Sequence, residues 1–130
     1  MKRITDLKHV LKAGLFSIFL LMPLLSMAQR QKKGPEQKAR MATDAMKTTC
    51  NLSDEQYKQV YQINLNFVNR TAALRSDTDD QMVKMGKMKL ADDERDEAMK
   101  AVMDNEQYKA FRAWKEDRRR QMMQRMAQKN

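Results

Sequence analysis

The sequence of 130 residues carries 26 lysines and arginines against 17 acidic residues, a formal net charge of +9, with one histidine and one cysteine. That length provides for one small domain. A lone cysteine excludes an intramolecular disulfide framework, and one histidine with one cysteine cannot make a zinc site of four cysteine and histidine ligands.

Residues 1–28 read as an export signal. Lys2, Arg3, Lys8 and Lys12 form a basic start, Leu15 to Leu25 is a largely apolar run, and Ser26 and Ala28 are small residues where a signal peptidase cleaves. Eleven residues are too few to span a bilayer, which needs roughly 20. Without residues 1–28 the chain keeps 22 basic against 16 acidic residues and loses its histidine, His9. What remains is poor in large aliphatics: four leucines, the single isoleucine Ile63 and ten methionines. Such a composition builds a thin core, so an elongated or dimeric helical body is expected rather than a thick globule. Cys50 suits either an intermolecular disulfide or a free thiol near a helix end.

Residues 29–35 are polar, basic and expected to be disordered. Pro35 then suits the first turn of a helix running to about Thr49, with Met41, Ala42, Ala45 and Met46 on one side. At Ser53 a second helix opens with a capping box, Ser53 and Gln56 satisfying each other's backbone N–H groups. Tyr57, Val60, Tyr61, Phe67, Val68 and Leu74 follow at helical spacing, and Asn64 falls on their stripe, as a register-fixing polar residue or as one tolerated at a half-exposed position. The run from Ser76 to Asp80 breaks the pattern. Thr78 with Gln81 is the expected cap of a third helix carrying Met82, Met85 and Met88, in which Gly86 costs roughly 1 kcal/mol relative to alanine. Asp92 is the expected cap of a further segment presenting Ala98, Met99, Val102 and Met103. Asp104 with Gln107 caps the last helix, which begins with Tyr108, Phe111 and Trp114 and loses its apolar stripe at Arg118, Arg119 and Arg120. The prediction is all-α, with a helical domain over residues 36–127 and a disordered tail at 128–130.

One segment occurs twice. Leu52-Ser53-Asp54-Glu55-Gln56-Tyr57-Lys58 returns 51 residues later as Met103-Asp104-Asn105-Glu106-Gln107-Tyr108-Lys109. In this the chain resembles the Spy/CpxP family of small periplasmic proteins, recognised by a twice-occurring Leu-Thr-x-x-Gln motif. Ser53 takes the place of threonine in the first copy. In the second, Met103 and Asp104 depart from both leading positions but keep an apolar anchor and a capping acceptor. The resemblance implies a four-helix, hairpin-like protomer pairing into a thin curved homodimer, located in the periplasm. It further implies an ATP-independent holdase that binds unfolded or partly folded envelope proteins on a basic, partly apolar face, with no cofactor and no enzymatic activity. Methionine suits varied apolar partners, and lysine and arginine draw acidic segments in. The side chains expected to carry client binding are Arg70, Met82, Met85, Lys87, Met88, Arg112 and Arg119. The alternatives are an envelope-stress adaptor that docks on a membrane sensor, and a soft-metal buffer for copper.

For copper, Met82 and Met88 stand about 120° apart around one helix, which prevents three thioethers from converging on one ion. The clusters Asp77/Asp79/Asp80 and Asp92/Asp93/Glu94 lack the spacing and glycine of a calcium loop and read as helix starts. Nucleic acid is disfavoured because no aromatics interleave the basic run. Anionic lipid is the better second reading of that end, beside a simple solvated helix terminus.

Overall fold

Four helices and no strand occupy residues 32–129, the part of the chain described by this computed structural model. They are α1 (Pro35–Thr49), α2 (Asp54–Ser76), α3 (Gln81–Val102) and α4 (Asn105–Ala127). The export signal expected at residues 1–28, the first residues of the basic segment and Asn130 lie outside the described residues. No helix among the described residues is long and apolar enough to cross a membrane.

Local chemistry sets each boundary. Pro35 opens α1 in the first turn, where its missing N–H costs nothing. The helix ends where Asn51 takes a φ of 51°, a left-handed conformation that asparagine tolerates. This lets the Leu52 N–H donate to the Lys47 carbonyl at 3.1 Å, a Schellman closure that drops Leu52 into the core. The capping boxes of α2 and α4 both form as expected. Gln56 N–H donates to Ser53 Oγ at 3.2 Å while Ser53 N–H donates to Gln56 Oε1 at 3.0 Å. Gln107 N–H donates to Asp104 Oδ1 at 2.8 Å, and Asp104 N–H to Gln107 Oε1 at 3.0 Å. Both helices are 23 residues long and start 51 positions apart, so the sequence repeat is a structural repeat.

Two expected caps are corrected. Asp80, not Thr78, caps α3, its carboxylate accepting from Met82 N–H at 3.1 Å. The preceding turn is closed by Asp77, which accepts from Asp79 N–H at 3.3 Å. Asp92 caps nothing, because α3 runs unbroken from Gln81 to Val102. Its carboxylate instead receives the Lys115 ammonium at 2.7 Å, so the two expected segments are one helix.

The core gathers where the two cap segments meet. Met46, Cys50, Leu52, Val60, Met99, Met103 and Phe111 form one buried cluster, with Ile63, Val102, Tyr108, Ala110 and Trp114 packed around it. Between the boxes, the two glutamine side chains bond each other in both directions. Gln56 Nε2 donates to Gln107 Oε1 at 2.7 Å and Gln107 Nε2 to Gln56 Oε1 at 2.9 Å. The second N–H of each amide reaches the backbone of the other repeat, Gln56 to the Val102 carbonyl and Gln107 to the Asn51 carbonyl, both at 3.0 Å. Asn51 and Val102 are themselves 51 residues apart, so the pattern has a local two-fold character. Away from this junction, α2 and α3 continue as a long hairpin, whereas α4 meets α3 and α1 only over its first turns.

The junction predicts coupling. Gln56→Ala and Gln107→Ala should each destabilise by about 1–3 kcal/mol in urea denaturation. The double variant should lose less than the sum, by about 0.5–3 kcal/mol; additive losses would show that the two amides act separately. Gly86 lies inside α3 with no atom within 4 Å of the position a Cβ would take, so Gly86→Ala should raise stability by about 0.5–1 kcal/mol, read as a higher melting temperature.

Candidate functional site

Along the α2–α3 hairpin, Asn64 is a fully buried polar residue with both ends of its amide bonded. Its Nδ2 donates to Thr43 Oγ1 at 2.9 Å, and its Oδ1 accepts from Arg95 Nε at 3.2 Å and Nη2 at 2.8 Å. One amide thus joins α1, α2 and α3. The Arg95 guanidinium lies 4.7 Å from the ring centre of Phe67, 5.6 Å from Phe111 and 5.8 Å from Trp114. These rings offer it cation–π faces. Burial pushes the Arg95 pKa down, opposed by the carboxylates of Asp92 and Asp96. Every buried side-chain nitrogen and oxygen among the described residues has a hydrogen-bond partner. The outer wall of this cluster is an open groove of about 360 Å³ between α2 and α3, with Ile63, Phe67 and Ala91 on its apolar side and Arg70 and Glu94 at its rim.

The seven side chains expected to bind clients fall into three places. Arg70 stands on the α2–α3 groove, ion-paired with Glu94. Met82, Met85, Lys87 and Met88 lie on the first turns of α3, near the free end of the hairpin. There Met82 and Met85 are 75% and 59% exposed and Met88 is half-buried. This stretch is therefore surface and not core, and Val83 and Leu90 beside it are also exposed. Lys87 is held by Asp79 and, at 3.6 Å, by Asp77; the Asp77 carboxyl sits below its usual range, first because it accepts from the Asp79 backbone and also because Lys87 is near. Arg112 and Arg119 line a second cleft of about 410 Å³ between α3 and α4. Arg112 lies 3.5 Å from Asp96, and Arg119 is 2.8 Å from Glu116.

Sequence reasoning passed over the two cations that organise these surfaces, Arg95 and Lys115. The Lys115 ammonium bridges Asp92 at 2.7 Å and Asp96 at 2.6 Å, and it is largely enclosed. The signal for both was spacing: Arg95 falls on the α3 stripe with Ala91, Ala98 and Met99, and Lys115 follows Phe111 by one turn. Cys50 is buried and unpaired. Burial raises its pKa, which keeps the thiol protonated and unreactive. A disulfide to another chain through Cys50 would require the core to open.

Residues 26–111 match a family described as a domain of unknown function, DUF4890. The chain belongs to that family. The matched stretch contains α1, α2, α3, both capping boxes, Asn64 and Arg95, and it ends at the buried Phe111. The outer part of α4 lies beyond it. No curated protein and no solved structure matches the chain.

The Asn64 link in this DUF4890 chain yields a prediction. Asn64→Ala removes the acceptor for two guanidinium N–H groups and should destabilise by about 2–3 kcal/mol in chemical denaturation. A loss under about 0.5 kcal/mol would show that the aromatic rings alone hold Arg95.

Proposed function

We propose that the protein is an ATP-independent holdase of the Spy/CpxP type, exported to the periplasm, working as a thin curved homodimer and binding unfolded envelope proteins. One observation carries this reading: the first half of α3 presents Met82, Val83, Met85 and Leu90 to solvent beside Lys87. Contiguous exposed apolar side chains on a folded chain mark an interaction surface, and methionine repacks against varied partners without a fixed shape. The repeated capping segment and the hairpin of α2 and α3 support the same reading.

The basic residues contribute differently from the sequence-based expectation. Arg70, Lys87, Arg112 and Arg119 each already face a carboxylate. Exposed ion pairs of this kind are worth about 0–1 kcal/mol. A client carboxylate can therefore exchange with Glu94, Asp79 or Glu116 at little net cost, which favours weak, reversible binding over tight recognition.

Purified protein beginning at Gln29 should slow aggregation of a chemically denatured client without nucleotide. Met82→Ser with Met85→Ser should raise the concentration needed for half-suppression by about threefold or more. Equal aggregation with and without a several-fold excess of the protein would sink the holdase reading. Capture of one stoichiometric membrane partner, without any suppression, would favour the sensor adaptor instead.

A further inference from the structure

We infer that the outer half of α4, from Asp117 to Gln128, docks on a lipid surface bearing anionic headgroups. The segment from Asp117 to Lys129 is exposed throughout, and of its residues Arg118, Arg119 and Met122 border the α3–α4 cleft opposite Asp92 and Asp93. It is nevertheless regular helix to Ala127, with Gln128 N–H closing on the Gln124 carbonyl at 3.1 Å. Twelve residues make a rod of about 18 Å.

The residues on this rod are sorted by face. At about 100° per residue, Met122, Met126 and Met123 fall within an arc of about 100°; they are 62%, 56% and 59% exposed. Arg118 and Arg125 border one edge of that arc and Arg120 the other, while Gln121, Gln124 and Gln128 occupy the opposite side. Arg119 lies within the arc but is drawn toward Glu116, and its long stem allows the head to leave an apolar boundary. Four arginines against Asp117 give the segment a net charge of +3. Arg118 and Arg125 make no ion pair among the described residues, and the nearby carboxylates of Asp92 and Asp96 are occupied by Lys115. The Arg118 guanidinium is steadied 5.0 Å from the Trp114 ring centre, which ties the rod's base to the core.

A flexible apolar strip, with the unpaired Arg118 and Arg125 on one edge, Arg120 loosely paired with Asp117 at 3.6 Å on the other, and neutral amides behind, fits a headgroup boundary. The methionines enter the acyl edge while the arginines meet phosphates on either side. A folded acidic protein would satisfy the charge but would need a fixed apolar complement, and the methionine strip supplies no fixed shape. These residues, Arg119 apart, are separate from those assigned to client binding, so the two readings fail independently.

Co-sedimentation with vesicles tests the inference, using protein beginning at Gln29, which keeps the whole compact unit Lys33–Asn130 and removes the apolar run at residues 15–25. Vesicles of phosphatidylcholine with phosphatidylglycerol should bind it at low salt, and pure phosphatidylcholine vesicles should not. Replacing Arg118, Arg120 and Arg125 by glutamine should weaken binding by about a hundredfold, from about fivefold per arginine. Replacing Met122, Met123 and Met126 by serine should weaken it by about tenfold or more. All these positions are exposed, so circular dichroism should stay unchanged, and the melting temperature should shift only slightly, by the loss of the Arg118 contact with Trp114 in the glutamine variant. No binding to anionic vesicles, or binding by either variant as tight as that of the unsubstituted protein, overturns the inference. So does self-association that the serine variant abolishes while vesicles go unbound, which would assign the face to a second copy of the chain.

Discussion

The reciprocal bond between Gln56 and Gln107 is the constraint on which the arrangement of the helices depends. A primary amide can donate twice and accept twice, and here each one does both. It caps its own helix, bonds its counterpart and holds the backbone that enters the other repeat. Glutamate at either position would keep the cap but could not donate, so one backbone carbonyl and the amide oxygen of the other glutamine would lose their donor. The network therefore requires glutamine in both copies, and it fixes the start of α2 against the start of α4. The apolar cluster then forms around that fixed point and includes Leu52 with Met103 and Val60 with Phe111, pairs that occupy equivalent places in the repeat.

Moving outward, equivalent positions diverge, and the divergence gives the molecule its shape. Asn64 corresponds to Lys115. The first is a neutral amide that receives the Arg95 guanidinium; the second is a cation that needs Asp92 and Asp96. Thr71 corresponds to Met122: the first is buried, and the second is exposed. The same scaffold thus produces a closed hairpin on one side and a projecting helix on the other. Surfaces with unspent apolar area, at the start of α3 and the end of α4, lie in the parts where the repeat is not obeyed.

What could be read from the sequence was what is local. Capping boxes involve residues three apart and an apolar stripe involves one turn, so α1, α2 and the start of α4 were predictable, as was the all-helical class. Bonds spanning 51 residues have no local signature, and the glutamine pair had looked like two separate caps. Asp92 was misread because a carboxylate's capping preference is outweighed when a buried cation on another helix competes for it. Arg95 was missed for a related reason: a charged residue on an apolar stripe reads as solvated until three aromatic rings and an amide are seen around it. The exposure of Met82 and Met85 depended on how far α2 and α3 extend past the core, which periodicity does not report.

Stability and surface are separable in this fold. The buried cluster is small, so caps, the Asn64–Arg95 link and the enclosed Lys115 hold a larger share of the structure than they would in a thicker domain. The two capping boxes, the Asn64–Arg95 link and Lys115 lie away from the exposed first turns of α3 and the outer half of α4. Substitutions at exposed sites away from such features usually change stability by less than about 0.5 kcal/mol. The outer methionines and arginines can therefore vary without loss of the scaffold, and a loss of binding on changing them reports on the surface and not on unfolding. That separation allows one small helical frame to present two chemically distinct ends, an apolar strip beside ion-paired lysine on α3 and an apolar strip between exposed arginines on α4.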